Sequence, residues 1–118
     1  MNNPQLAVVY EKAADVVQTN GHCKNWFYDL HSEGKQPRSS LRVCALGALS
    51  IAVTEDPQPP EELDGLLAEA VADLSLRIAS VTVDENPVER IANWSDSVVR
   101  TPAEIVDALL LAAKAAAA

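Results

Sequence analysis

The sequence is poor in cysteine and contains no apolar run long enough to cross a membrane. Cys23 and Cys44 are the only cysteines among 118 residues, which is too few for a disulfide framework and typical of reduced thiols inside cells. A bilayer requires about 18 consecutive apolar residues, and the first residues lack the basic and then apolar pattern of a secretory signal. We therefore expect a cytoplasmic protein that does not interact with membranes.

Basic residues are scarce, and the motifs of common enzymes are absent from the sequence. Nine lysines and arginines stand against 17 acidic residues, for a formal net charge of −8, whereas nucleic-acid backbones are bound by clustered basic side chains. The sequence contains no glycine-rich phosphate loop, no His-Glu-x-x-His and no Gly-x-Ser-x-Gly. We predict no nucleic-acid partner and no cofactor, and we favour a protein that is not an enzyme without excluding one.

Three positions carry the signature of a helix start. Proline follows a capping residue at Asn3, Asn86 and Thr101; the capping side chain can accept from an unpaired N–H group, and proline fits the first helical position. Glu89 and Glu104 each follow their cap by three residues, as in a capping box. These signals predict a mainly α protein, with about five helices around one core in a single domain over residues 1–118.

The spacing of apolar residues places the individual helices. We predict a first helix from Pro4 to Asn20, a buried helix within residues 43–53, an amphipathic helix from Glu61 to about Ser80, a short helix over residues 86–93 and a last helix from Pro102. In the buried helix, the small residues Ala45, Gly47 and Ala48 would permit the close approach of a neighbouring segment.

Other stretches favour non-helical or weakly held structure. Aromatic residues favour an extended segment over residues 24–30, and a return strand near residues 41–44 would complete a small β-hairpin between the first two helices. Residues 81–83 suit one extended step. Residues 110–118 are expected to form a frayed helix end, because the alanine-rich tail has little to bury.

Four short patterns together resemble a family of small uncharacterised proteins found in actinobacteria and in the phages that infect them. They are Gly-His-Cys-Lys-Asn at 21–25, Val-Cys-Ala-Leu-Gly-Ala-Leu at 43–49, Ile-Ala-Asn-Trp-Ser-Asp at 91–96 and Arg-Thr-Pro-Ala-Glu-Ile-Val at 100–106. The family usually has Gly-Trp-Cys where this chain has Gly21-His22-Cys23, and Trp-Asn-Asp where it has Trp94-Ser95-Asp96. The resemblance implies provenance and fold, and it brings no catalytic residue with it.

The two thiols are the main candidates for chemistry. Cys44 lies at the start of the predicted buried helix, two residues after Arg42, and His22 and His31 could serve as bases for Cys44 or Cys23. Asp96 could complete a Cys-His-Asp arrangement with Cys44 and His22. The simpler interpretation is that Cys44 is a small buried side chain, Cys23 a packed turn residue and Asp96 a cap.

The same histidines and cysteines are also residue types that bind zinc. Zinc ligands usually come in pairs two to four residues apart. The adjacent pair His22-Cys23, with His31 and Cys44 farther along the chain, does not match this spacing. We therefore predict no metal site.

Three consecutive aromatic residues mark the best candidate for a binding surface. In an extended segment, Trp26 and Tyr28 would face one way and Phe27 the other, beside the basic side chains of Lys24, Arg38 and Arg42. An exposed aromatic pair is typical of protein–protein contacts. We predict a small module that binds another protein through this segment.

Two alternatives and one question stay open at this stage. One alternative is a thiol-dependent enzyme or redox protein that uses Cys44 or Cys23. The other is an acidic mimic of nucleic acid, since residues 55–73 contain seven acidic side chains and no basic one. The chain could be a monomer, or a homodimer that pairs through the apolar helix within residues 43–53.

Overall fold

A computed structural model describes residues 2–78 and 86–118. Within these residues the chain forms five α-helices and two short 3₁₀ turns, at Leu30–Ser32 and Arg38–Ser40. The helices are α1 (Pro4–Asn20), α2 (Ala45–Thr54), α3 (Gly65–Arg77), α4 (Pro87–Asp96) and α5 (Pro102–Ala117). The prediction of a mainly α fold with about five helices is confirmed. No helix of the described ranges is long and apolar enough to span a membrane.

All three predicted helix starts have the expected caps. The Asn3 side chain accepts from Leu6 N, and the Asn86 side chain accepts from Glu89 N at 2.9 Å. At α5, Thr101 and Glu104 form a complete capping box, in which each side chain accepts from the other residue's backbone N–H. Each such cap contributes about 1 kcal/mol to helix stability, which explains why these three helices begin at the predicted residues.

Helix α2 lies at the centre of the core. Its residues from Ala45 to Ile51 are all buried, and it contacts α1, α3 and α4. The predicted close approach occurs at Gly47, where an added Cβ would meet the backbone oxygen of Phe27 at 2.0 Å. Because α2 uses its apolar residues inside its own chain, it offers little surface for pairing with a second copy.

The two terminal helices pack along each other, and the alanine-rich end buries more than its composition suggests. Ala112, Ala113 and Ala116 are buried on α5, and Asn3 N donates to Ala116 O at 2.6 Å. The end of α5 is therefore packed against the start of α1 at Ala116, while fraying of residues 110–118 stays a prediction.

Two helix boundaries and one element differ from the prediction. Helix α3 begins at Gly65 and not at Glu61, with Asp64 as its N-cap, and α4 continues to Asp96 because its last turn buries Trp94 and Ser95. No β-hairpin forms in the described part of the chain. Its place is taken by single bridges from His22 and Tyr28 to Val43, because the chain bends over residues 24–27. The step predicted at 81–83 and the predicted helix end at Ser80 lie outside the described residues.

Candidate functional site

The segment after α1 folds back around the start of α2 and gathers most of the candidate residues. Cys23 N donates to Val43 O at 3.0 Å, and Val43 N donates to Gly21 O at 3.1 Å. Farther along, Cys44 N donates to Phe27 O at 3.1 Å. The segment over residues 21–29 therefore wraps around residues 42–44 in place of a hairpin.

His22 is joined to α2 through Ser95. Ser95 Oγ accepts from Ala45 N at 3.1 Å and lies 3.1 Å from His22 Nε2. The hydroxyl has one proton and two lone pairs, so besides accepting from Ala45 N it can donate to Nε2 of a neutral ring that carries its proton on Nδ1, or accept from a protonated Nε2. Ser95 is fully buried, and this one hydroxyl connects α4, the segment after α1 and the first turn of α2.

Asp96 has a different partner from the one a catalytic arrangement needs. Its Oδ1 accepts from Asn25 N at 2.9 Å. His22, Cys23, Cys44 and Asp96 do lie in one region, since the charge of Asp96 influences the pKa of the other three. Among the described residues, however, no hydrogen bond joins His22 to either thiol or to Asp96.

The environment of both thiols opposes formation of the thiolate. Burial raises the pKa of Cys44 to about 12, although the backbone N–H of Gly47 points at the sulfur from 3.5 Å. Burial also raises the pKa of Cys23 to about 11, with the negative charge of Asp29 adding to the effect. The nucleophile and the metal ligand are both the thiolate form, so this environment disfavours both kinds of chemistry.

We expect both cysteines to resist alkylation in the folded protein. At about pH 8 a pKa near 11 leaves about one thiol in a thousand ionised, so iodoacetamide should modify the native protein more than about 100-fold more slowly than the unfolded protein. Mass spectrometry over time measures both rates, and Cys23→Ser separates the two sites. A native rate close to that of a free cysteine at either position would contradict this assignment and revive the thiol-dependent alternative.

His22 should make stability depend on pH. Burial and the charge of Lys24 lower its pKa from 6.5 in the folded state, so the unfolded chain binds the proton more tightly. The contribution of neutral His22 is therefore complete above about pH 6.5 and is lost as the pH falls through the lower folded pKa.

The measurement is urea unfolding at about pH 7.5 and about pH 5, a window above the main titration of carboxylates. The wild type should lose stability across this window, and His22→Gln should lose clearly less. Equal losses in the two proteins would show that His22 does not titrate as described.

His31 is separate from this region. It lies exposed on the 3₁₀ turn Leu30–Ser32, where its backbone N–H donates to Asp29 Oδ1 at 3.0 Å. Within residues 2–78 and 86–118, no three His, Cys, Asp or Glu side chains are arranged to hold a metal ion.

Trp26 is presented to solvent by two loops that are bonded to each other. The Lys24 ammonium donates to Ser97 O, and Asn25 N donates to the carboxylate of Asp96. Asn25 adopts a left-handed conformation with φ of 74°, which asparagine tolerates better than most residues. The following residue, Trp26, is 62% exposed.

The second of these loops carries two exposed valines. Val98 is 92% and Val99 is 73% exposed. Their turn is fixed by Arg100, whose backbone N–H donates to Ser97 O at 3.0 Å and whose guanidinium lies 4.9 Å from the centre of the Trp94 ring. We call Trp26, Val98 and Val99 the tryptophan surface. The two valines could not be recognised from the sequence as part of a surface, since two adjacent apolar residues in a turn show no periodicity.

The other predicted binding residues have partners within the chain. Tyr28 is buried, with the Arg38 guanidinium 4.9 Å from the centre of its ring, so Trp26 and Tyr28 do not share an exposed face as an extended segment would require. Arg38 pairs with Asp56 and Glu33, and Arg42 pairs with Asp29 at 2.8 Å. These basic side chains mainly brace the loop, and their role in binding stays a prediction.

The acidic stretch over residues 55–73 does not form one charged helix face. Five of its seven acidic residues precede α3, and only Glu69 and Asp73 lie on the helix. Asp73 is paired with Arg77 at 2.7 Å and accepts from the hydroxyl of Tyr10, while Asp56 is paired with Arg38. Two of the seven carboxylates are therefore paired with arginines, and five of the seven do not lie on α3.

Comparison with known proteins assigns the chain to a family. The sequence profile of a family of unknown function, DUF6197, matches residues 1–115. The chain belongs to this family, which confirms its assignment to an uncharacterised group. No curated protein and no solved structure matches the chain.

Proposed function

We propose that this member of DUF6197, encoded by an actinobacterium or one of its phages, acts by binding another protein through the tryptophan surface. The observation that carries the proposal is an exposed tryptophan on a loop held in place by two hydrogen bonds to a second loop. Tryptophan is the residue type most enriched at the centres of protein interfaces. Holding it in a fixed position lowers the entropy lost on binding.

The charge of the chain favours a partner other than a second copy. A formal net charge of −8 makes two copies repel each other and attracts proteins with a basic surface. The charged groups near Trp26 already have partners within the chain: Lys24 donates to Ser97 O, and Asp96 accepts from Asn25 N. Apolar contact would therefore hold the complex at the tryptophan surface, and the overall charge would speed its formation.

The test is affinity capture from an actinobacterial lysate with three folded baits, eluted in steps of rising salt. The baits are the wild type, the double variant Trp26→Ser with Val98→Ser, and Leu111→Ser. Leu111 is a suitable control because it is 68% exposed on α5, eleven positions after Arg100 along the chain. Circular dichroism checks that all three baits are folded.

A stoichiometric partner should bind the wild type and Leu111→Ser, and the double variant should bind it more than about 30-fold more weakly, the loss typical of a central interface residue. Such a partner should remain bound at moderate salt. Retention by the double variant, equal loss in both variants, or no partner from a folded wild-type bait would each count against the proposal.

The alternative functions receive less support from the described residues. The raised pKa of both thiols opposes thiol chemistry, and the internal pairing of Asp56 and Asp73 weakens the case for mimicry of nucleic acid. The apolar residues of the tryptophan surface, by contrast, are exposed within the part of the chain that the structure describes.

A further inference from the structure

The segment between α2 and α3 forms one side of a cavity that also borders Phe27 and Leu46. Its volume is about 250 Å³. This lies between a cavity of about 150 Å³ that binds benzene and the low end of ordinary ligand pockets, about 300 Å³. The walls are mainly apolar and include Phe27, Leu46, Leu63, Leu67, Val71 and Val88. A cavity of this size can hold a ligand with one six-membered ring.

One wall of the cavity is held rigidly. Asp56 accepts two hydrogen bonds from Arg38, both at 3.0 Å, and its backbone oxygen accepts from Ser50 Oγ at 2.6 Å. Pro57 is fully buried next to it. Two further prolines, at positions 59 and 60, line the cavity. Proline fixes its own backbone φ angle, so this wall has little freedom to move into the cavity. The short proline rings also leave the volume of the cavity open.

Glu61 is the one charged side chain among the described residues that line the cavity. Two more exposed acidic residues, Glu62 and Asp64, follow it within three positions along the chain. No lysine or arginine occurs in residues 43–76, and among the described residues that line the cavity none carries a positive charge. An apolar ligand in the cavity would therefore bind more tightly if it placed a positive charge at the rim, and more weakly if it placed a negative charge there.

We propose that this cavity binds a small amine that joins an apolar ring to a cationic head. The ring lies against Phe27, Leu63 and Val88, which are half-buried apolar residues of the lining, and the ammonium group lies at the rim beside Glu61. This inference is independent of the tryptophan surface, because the cavity and that surface use different side chains.

The test uses 2-phenylethylamine as the probe and 3-phenylpropionate as its anionic counterpart, each titrated into ¹⁵N-labelled full-length protein at low salt. The amine should bind saturably with a dissociation constant of about 1 mM, as expected for a ligand of this size. Its chemical-shift changes should centre on the amides of Phe27, Leu63 and Val88, which line the accessible part of the cavity. The carboxylate should bind at least about ten-fold more weakly, because attraction is replaced by repulsion.

Two matched variants locate the charge, and a third locates the ring. Glu61→Gln should weaken binding of the amine about three-fold, as expected for an exposed ion pair, and Glu62→Gln should weaken it less because Glu62 does not line the cavity. Val88→Phe, at a half-buried wall position, should abolish binding by filling the space.

Three results would overturn the proposal. They are the absence of saturable shifts at the cavity, equal affinity for the amine and the carboxylate, and unchanged amine binding by both Glu61→Gln and a folded Val88→Phe variant.

Discussion

Gly47→Ala is expected to destabilise the protein by about 3 kcal/mol or more, the upper range for overpacking of a core. A Cβ at this position would lie 2.0 Å from the backbone oxygen of Phe27 and 3.1 Å from Cβ of Val43. Backbone cannot turn aside as a long side chain can. Relief of the clash would require the segment around Phe27 to move away from α2 and break its bond to Cys44 N.

The expected destabilisation is opposite in sign to the effect that helix propensity predicts. In an exposed helix, alanine is more favourable than glycine by about 1 kcal/mol, so helix propensity alone predicts that Gly47→Ala stabilises the protein. The reverse change in the same helix, Ala52→Gly at a half-buried position, should cost only about 1 kcal/mol. Urea unfolding measures both variants. A Gly47→Ala protein as stable as the wild type would contradict the described packing of Phe27 on α2.

Ser95→Ala is expected to cost about 2 kcal/mol. The change removes the hydroxyl that accepts from Ala45 N and contacts His22 Nε2. Leaving a buried N–H without a partner costs about 1–3 kcal/mol. The expected cost is large for a single oxygen atom because three separate parts of the chain meet at it.

Ser75→Ala provides a matched control in α3. Ser75 is also a buried serine within a helix, but its hydroxyl donates to Ala72 O of the same helix at 2.7 Å. That carbonyl keeps access to its helical hydrogen bond when the hydroxyl is removed, so the variant should lose less than about 1 kcal/mol. Equal losses for Ser95→Ala and Ser75→Ala in urea unfolding would show that the junction at His22 contributes nothing special.

The helices could be predicted from the sequence because their signals are local. Asn3, Asn86 and Thr101 satisfy the N–H groups of the residues that follow them, and the spacing of apolar residues identifies the buried faces. The role of Gly47 could be predicted only in part. Small residues in α2 indicate close packing, but nothing nearby in the sequence identifies the backbone of Phe27 as the neighbour.

The candidate site depends on contacts between distant residues and could not be predicted in the same way. Ser95 and Ala45 are 50 positions apart, and the bond from Asn25 to Asp96 joins residues 71 positions apart. The extended segment predicted over residues 24–30 fails because Asn25 takes a left-handed conformation. Asn25 is itself a sequence signal for this turn, since asparagine tolerates the left-handed conformation. The strand preference of the three aromatic residues that follow is a stronger signal and predicts an extended segment instead.

The most direct test of the proposed function places a photo-reactive amino acid, p-benzoylphenylalanine, at position 26 or at position 111 in place of the native residue. Irradiation of each protein in an actinobacterial lysate should give one dominant covalent adduct with another protein from position 26 and none from position 111. Adduct formation from both positions alike, adducts only between copies of this chain, or none at all from position 26 would contradict the account.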